Sequence, residues 1–150
     1  MQQQALSAIV AWVRLESALQ SFNQTLRREH GITGLQLAVL RILGERPALP
    51  LAALRKSLVM HPATLGQSID ELRVMGLCTV TRDPRDKRAR IVAMTDKGRE
   101  VTAKAPLAGP VRLREIEADP ARLDALRDAF GDAVELFGLG EFVPKKTQGR

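Results

Sequence analysis

A cluster of basic side chains lies in the middle of residues 77–94, a segment whose alternating pattern predicts a β-hairpin. Between residues 82 and 90 there are five basic residues and two acidic ones. Arginine at a hairpin tip can enter a narrow minor groove of DNA, where the electrostatic potential is most negative. The candidate contacts are Arg82, Arg85, Lys87, Arg88 and Arg90. We expect Asp86 to organise the tip by pairing with Arg88, and a solvated turn without a partner is the alternative.

A helix with one polar face is predicted just before this hairpin. It begins at Pro62, and Leu65, Ile69 and Leu72 give it an apolar stripe that would fix it to the body of the protein. In the major groove, glutamine can bond adenine edges and threonine can contact thymine methyls. The opposite face carries Thr64, Gln67, Ser68 and Glu71, and Ala63 and Gly66 are small enough to permit close approach. The candidate DNA contacts are Ala63, Thr64, Gln67 and Ser68, together with Arg55 of the preceding helix. An ordinary amphipathic surface helix is the alternative.

The two elements nearest the N-terminus are predicted to be helices. Apolar residues recur at spacings of three and four from Trp12 to Leu26, which predicts a first helix that Gly31 ends with a left-handed cap. Thr33 and Gln36 have the spacing of a capping box, which predicts a second helix over about 33–45. The first helix is apolar on more than one side, so we expect more than one neighbour to cover it.

Proline and cap residues mark the predicted ends of elements in the rest of the chain. Pro47 and Pro50 interrupt the pattern, and Pro50 suits the first turn of a third helix over about 50–58. After the hairpin, Thr95 is expected to cap a helix that continues to about Ala105. The proline-rich region 104–122 is predicted to be broken. Asp119-Pro120 then begins a last helix with an apolar stripe at Leu123, Leu126, Phe130, Ala133 and Phe137.

Composition excludes several classes of protein. The chain has 150 residues, of which 45% are hydrophobic and 27% charged, so it can bury a core. One cysteine and two histidines argue against a disulfide framework or a zinc module, and we expect no cofactor and no metal. No stretch has the length of a membrane span or the pattern of a secretory signal, which favours a cytoplasmic, nucleoid-associated protein. The net charge of +6 suggests a polyanionic partner.

Three segments resemble the MarR family of transcription regulators. The run Asp86-x-Arg88-x-x-x-Val92-x-Met94-Thr95-x-x-Gly98 is similar to the wing signature of that family. Gly31-Ile32-Thr33, leading into Val39-Leu40-x-Ile42-Leu43, resembles its second-helix entry. Leu72-x-x-Met75-Gly76-Leu77 resembles the exit of its recognition helix into the wing. These segments cover about residues 30–100, although Lys87 stands where the family more often has arginine.

The resemblance implies a mainly α fold with a small β-hairpin. A winged helix-turn-helix domain over 31–98 would lie between an N-terminal dimerisation helix, 1–30, and C-terminal dimerisation helices, 99–143, followed by a basic flexible tail, 144–150. It further implies a sequence-specific regulator of transcription, in the typical case a ligand-responsive repressor. Such a homodimer binds a pseudo-palindromic operator in double-stranded DNA, with one recognition helix in each major groove and one wing in each flanking minor groove.

The resemblance also raises the question of a small-molecule effector. Many members bind small aromatic or anionic compounds between the dimerisation and DNA-binding regions. The candidate wall residues are Trp12, Arg14 and Arg41, although a tryptophan at such a position more often simply packs in the core. Some members sense oxidants through a cysteine near the start of the first helix, where this chain has none. Cys78 falls at an apolar strand position, which favours a buried inert thiol over a sensor.

Two other classes of function compete with this interpretation. An enzyme is disfavoured because the chain shows no nucleophile–histidine arrangement, no phosphate-binding glycine loop and no paired metal-ligand spacing. A winged helix that docks proteins without specific DNA binding is the stronger alternative, but five basic residues in the wing favour nucleic acid. A binder of single strands is disfavoured because aromatic residues make up 3% of the chain.

Overall fold

The computed structural model describes residues 2–58 and 62–145, so the predicted basic tail lies outside the described residues from 146 onward. The chain is mainly helical, with one small sheet. The helices are α1 (Gln3–His30), α2 (Gly34–Glu45), α3 (Leu51–Leu58), α4 (Pro62–Val74), α5 (Asp96–Lys104) and α6 (Pro120–Leu136). The strands are β1 (Ala48–Pro50), β2 (Cys78–Arg82) and β3 (Arg90–Met94), and short 3-10 turns occupy Pro110–Arg114 and Gly140–Phe142.

The sheet has three antiparallel strands in the order β1-β3-β2. The predicted hairpin is confirmed as β2 and β3, and we call residues 78–94 the wing. The segment before α3 corrects the prediction: it is strand β1, paired with β3 so that Leu49 lies opposite Val92. Pro50 ends this strand instead of opening the helix. A proline that lacks an N–H group is tolerated there because β1 is an edge strand.

Helix α2 lies at the centre of the core. Its side chains Leu37, Val39, Leu40 and Leu43 are fully buried, and they belong to one cluster with Leu26 of α1 and residues from α3, α4 and the sheet. The predicted capping box is confirmed, because the Thr33 hydroxyl accepts from the Gln36 N–H while the Gln36 side chain accepts from the Thr33 N–H. The core therefore forms around a helix whose start is fixed by two reciprocal bonds.

Other predicted boundaries are also confirmed. Gly31 follows α1 in the left-handed region, at φ 72°, which a residue with a Cβ adopts only at a cost. Thr95 caps α5 by accepting from the Gly98 N–H, and Asp119 caps α6 by accepting from the Ala121 N–H. The region between α5 and α6 is broken as expected, with a single 3-10 turn at Pro110–Arg114.

Helices α1 and α6 keep much of their apolar surface exposed. Within α1 only Leu26 is buried, and no described residue of α6 is. The two helices touch where the Trp12 ring meets the Phe137 ring edge to face, with centroids 5.8 Å apart, yet the Trp12 residue stays 44% exposed. Despite this apolar surface, none of the helices within residues 2–58 and 62–145 has the length and hydropathy to cross a membrane.

The wing and the residue before it pack closely against α5 at Gly98. A Cβ on Gly98 would collide with the Leu77 carbonyl oxygen and would lie 2.8 Å from Met94 Cγ. The Leu77 carbonyl also accepts the Thr95 N–H, so it is held in place. This close approach requires glycine at position 98.

We predict that Gly98→Ala lowers the free energy of unfolding by about 1–3 kcal/mol, because the backbone must shift to relieve the overlap. Urea denaturation measures the change. The matched control is Gly44→Ala, whose Cβ would meet only Met94 Cε at 3.6 Å and should therefore be neutral or slightly stabilising. Equal destabilisation by the two substitutions would show that the close contact at Gly98 does not require glycine.

Candidate nucleic-acid interface

Helix α4 has one buried face and one exposed face. Leu65, Ile69 and Leu72 are at most 4% exposed, so this apolar stripe fixes the helix to the body as the sequence predicts. The four candidate base contacts lie elsewhere on the helix: Ala63, Thr64 and Gln67 are exposed and Ser68 is half-buried. The start of the helix therefore offers small and polar side chains to a partner.

The Glu71 carboxylate is tied to α2, which the sequence does not predict. Its Oε2 atom accepts a hydrogen bond of 2.7 Å from Gln36 Nε2, and the same nitrogen lies 3.4 Å from the Ser68 carbonyl oxygen. The capping box identifies Gln36 as a helix-start residue, but nothing in the spacing shows that its amide also reaches α4. Glu71 is exposed, but its carboxylate is thus engaged within the protein.

Two aspartates shape the tip of the wing through the backbone. Asp86 Oδ1 accepts from the Arg88 N–H at 3.0 Å, and Asp83 Oδ1 accepts from the Arg85 N–H at 2.9 Å. Asp86 therefore organises the tip as predicted, but through the main chain of Arg88 instead of its guanidinium. Aspartate commonly bonds the amide two residues on in this way and so builds a turn. The guanidinium of Arg88 is left available for a partner.

The wing places like charges beside one another. Arg82 lies directly opposite Arg90 in the β2–β3 register, and like charges in that position destabilise a sheet. All five basic residues of the wing are exposed, as is Arg55 on α3, and none of these six makes an ion pair with another described residue. A polyanion would relieve this repulsion.

Helix α4 and the wing lie side by side. A cleft of about 380 Å³ separates them, lined by Gly66 and Arg73 from the helix and by Val80 and Arg90 from the wing. The exposed polar face of α4 and the basic wing are thus presented by neighbouring elements that share one core. This arrangement suits a ligand long enough to touch both.

The three candidate effector residues are not brought together. Arg41 lines a cleft of about 290 Å³ with Gly44, Met94 and others, whereas neither Trp12 nor Arg14 belongs to that lining. Trp12 packs on Phe137 but stays 44% exposed and outside the core cluster, and Arg14 is exposed. Of the three residues, only Arg41 lines this cleft, and the predicted ligand wall stays a prediction.

Two ion pairs connect α2 with the 3-10 turn before α6. Arg41 Nη1 lies 3.4 Å from a Glu115 carboxylate oxygen, and Arg41 Nη2 donates to the carbonyl oxygens of Ala105 and Pro106. Arg114 Nη2 lies 2.8 Å from Glu45 Oε2, and the hydrogen bond from this guanidinium lowers the pKa of the Glu45 carboxyl. These contacts join the core to the C-terminal region.

The single cysteine and the acidic residues show no reactive or metal-binding arrangement. Cys78 is buried, and burial raises the pKa of its thiol to about 11, so little reactive thiolate exists at neutral pH. This supports the interpretation of an inert thiol. Among the residues that the structure describes, no group of three or more His, Cys, Asp or Glu side chains is placed to hold a metal ion.

Known proteins share both the sequence and the fold of this chain. A family model described as the MarR family matches residues 32–89, which run from the loop before α2 to the wing tip. The transcriptional regulator HosA from Escherichia coli O111:H- is 34% identical over 90 residues, covering 57% of this chain and 67% of that protein. The chain belongs to the MarR family.

Solved structures of other regulators have the same fold at lower identity. Sco3205, a MarR family transcriptional regulator from Streptomyces coelicolor in complex with DNA, aligns with a TM-score of 0.68 at 20% identity, over 100% of this chain and 95% of that one. BpsR from Bordetella bronchiseptica, whose DNA binding is regulated by 6-hydroxynicotinic acid, aligns at 0.62 and 23% identity, over 84% and 91%. These structures show the winged-helix fold. Membership of the MarR family makes the chain a DNA-binding regulator of transcription and not an enzyme.

We predict that Asp86→Ala loosens the wing tip of this MarR-family protein while Asp86→Asn does not. Both substitutions remove the same charge, but only asparagine keeps an Oδ1 atom that can accept the Arg88 N–H. Amide hydrogen exchange measured by NMR should accelerate several-fold at Arg88 in the alanine variant, as expected for the loss of a hydrogen bond of about 1 kcal/mol. Identical exchange in the two variants would show that the side chain does not hold the turn.

Proposed function

We propose that this protein binds specific sequences of double-stranded DNA as a homodimer and represses transcription from a pseudo-palindromic operator. The observation that carries the proposal is the exposed polar face of α4 beside a wing whose basic residues have no ionic partner among the described residues. Sco3205 in complex with DNA supports a duplex as the ligand of this fold. The expected site of action is the cytoplasm, at the nucleoid.

In this proposal the two elements read the duplex differently. Helix α4 enters the major groove, and its base contacts are Ala63, Thr64, Gln67 and Ser68. The wing enters the flanking minor groove through Arg82, Arg85, Lys87, Arg88 and Arg90, with Asp86 holding its turn and Arg55 on a phosphate. The helix therefore supplies most of the sequence preference, whereas the wing supplies affinity and a preference for narrow minor grooves.

The homodimer is proposed from the apolar surface of α1 and α6. Large apolar side chains are 38–82% exposed along these helices and the segment that follows α6. They are Leu6, Ile9, Val10, Trp12, Val13, Leu15, Leu126, Phe130, Leu136, Phe137, Leu139, Phe142 and Val143. Contiguous exposed apolar surface of this extent marks an interaction site. Residues 1–30 and 99–143 are accordingly proposed as dimerisation regions, on either side of a DNA-binding domain at 31–98.

A ligand that releases the DNA is proposed at the cleft beside Arg41. BpsR, which shares the fold, responds to 6-hydroxynicotinic acid. In this chain Arg41 is nearly buried, and its Nε atom has no hydrogen-bond partner among the described residues. A small anion in the cleft would compete with Glu115 for the guanidinium. To act, such a ligand must bind the DNA-incompetent arrangement more tightly than the competent one.

The roles of helix and wing predict different effects of two substitutions. Gln67→Ala should relax the preference at one base position and cost about 1–3 kcal/mol there. Arg88→Ala should weaken binding to all sequences, lower the salt dependence by about one released counterion and reduce the preference for A·T-rich flanks. Fluorescence anisotropy with duplexes from the protein's own promoter region, titrated against salt, measures both effects.

Arg122→Ala serves as the control for net charge, because this exposed residue of α6 is neither a proposed DNA contact nor one of the apolar side chains of the proposed dimer surface. It should leave the salt dependence unchanged. Normal operator binding by the Arg88 variant would refute the role of the wing. If Gln67→Ala leaves the sequence preference unchanged while Arg88→Ala weakens binding, the base-reading role is assigned to Thr64 or Ser68 instead. Absence of duplex binding by the wild type would instead favour the alternative of a protein-docking module.

A further inference from the structure

One side chain in the core is polar, and both ends of its amide make hydrogen bonds. Among residues 2–58 and 62–145, Gln36 is the one polar or charged residue that is buried, with no exposed surface. Its Oε1 atom accepts from the Thr33 N–H at 2.9 Å, and its Nε2 atom donates to Glu71 and to the Ser68 carbonyl. The amide therefore bridges the start of α2 and the middle of α4.

The orientation of this amide is fixed by the chemistry of its neighbours. The Thr33 N–H can only donate, while the Ser68 carbonyl and the Glu71 carboxylate can only accept, so a flipped amide would lose all three contacts. The bond to Glu71 is short, at 2.7 Å, and its acceptor is charged, which makes it stronger than a neutral pair. A bridge anchored on a buried amide favours one relative position of the two helices.

The apolar attachment of α4 does not impose the same restriction. Leu65, Ile69 and Leu72 bury their side chains through contacts that have no preferred direction. A small rotation of the helix would keep most of that burial but would move the exposed side chains relative to a DNA groove. The Gln36 bridge resists such a rotation because it is hydrogen-bonded to Ser68 and Glu71. These two residues lie one helical turn beyond Thr64 and Gln67.

The bridge also determines where a negative charge lies. Gln67 and Glu71 are four residues apart on α4 and share a side of the helix. Without its partner, the Glu71 carboxylate could turn toward a bound duplex and repel the phosphates. Bound to Gln36, it stays against α2.

We propose that Gln36 is a positioning residue for DNA recognition: through Glu71 and the Ser68 carbonyl it sets the rotation of α4, so that discrimination between sequences depends on it. The proposal rests on the proposed function, in which α4 reads base edges. It extends that function to a residue that never touches DNA.

The sharpest test compares Glu71→Ala with Glu71→Gln. Both variants lose the same surface charge, so unspecific attraction to DNA changes equally, but only glutamine can still accept from Gln36 Nε2. The wild type first selects a preferred duplex from a random library. The readout is then the ratio of dissociation constants for a scrambled and the selected duplex, which should fall on the order of tenfold in the alanine variant and stay near the wild-type ratio in the glutamine variant.

A charge exchange tests the same bridge from α2. Gln36→Glu keeps the capping box, since glutamate also serves at that position, but it places two carboxylates together and should lower the ratio. Adding Glu71→Gln restores a donor opposite the new carboxylate and should recover most of the loss. Thr33→Ala is the control for helix stability: it removes a cap without touching α4, so it should reduce the free energy of unfolding and leave the ratio unchanged.

The outcomes separate this inference from the proposed function. If the wild type selects no sequence, the proposed function is wrong and the positioning role falls with it. If the wild type selects a duplex but the Glu71 alanine and glutamine variants discriminate equally, only the positioning role is overturned. It is also overturned if Thr33→Ala lowers the ratio as much as Glu71→Ala, because loss of stability would then explain both.

Discussion

The attachment of α4 to α2 and the sheet is the interaction on which the rest of the structure depends. Three apolar side chains bury one side of α4, and burial of this kind supplies most of the free energy that holds a helix to a core. Because that side is committed, the polar residues at the start of the helix have to face away from the body. The Gln36 bridge then restricts rotation within this arrangement, so burial provides the stability and the hydrogen bonds provide the direction.

The wing shows a second constraint: the placement of its positive charges lowers the stability of the hairpin. Arg82 and Arg90 face each other across the hairpin although like charges weaken a sheet. The tip keeps its shape because Asp83 and Asp86 bind backbone N–H groups and so leave the arginine side chains free. The β1–β3 pairing and the close contact at Gly98 seat the wing on the core. The wing therefore keeps neighbouring positive charges at a tip of defined shape, which favours a polyanionic partner.

Much of this could be predicted from the residues alone, because caps and periodicity act locally. Gly31, Thr33 with Gln36, and Asp119-Pro120 mark helix boundaries through short-range bonds that do not depend on the rest of the fold. Strand β1 was missed because its three residues show no periodicity and their pairing with β3 spans more than forty positions of sequence. The link from Gln36 to Glu71 is likewise set by tertiary packing, which spacing along the chain does not encode.

The proposed function requires that α4 and the wing bind the same duplex and that two copies of the protein bind it together. Hydroxyl-radical footprinting of the wild-type protein on a selected duplex tests both requirements. We expect two equivalent protected segments whose centres are separated by about one helical turn, roughly 10 base pairs, with additional protection of the minor groove on the outer side of each. A single asymmetric segment, or protection confined to the centre with open outer minor grooves, would contradict this expectation.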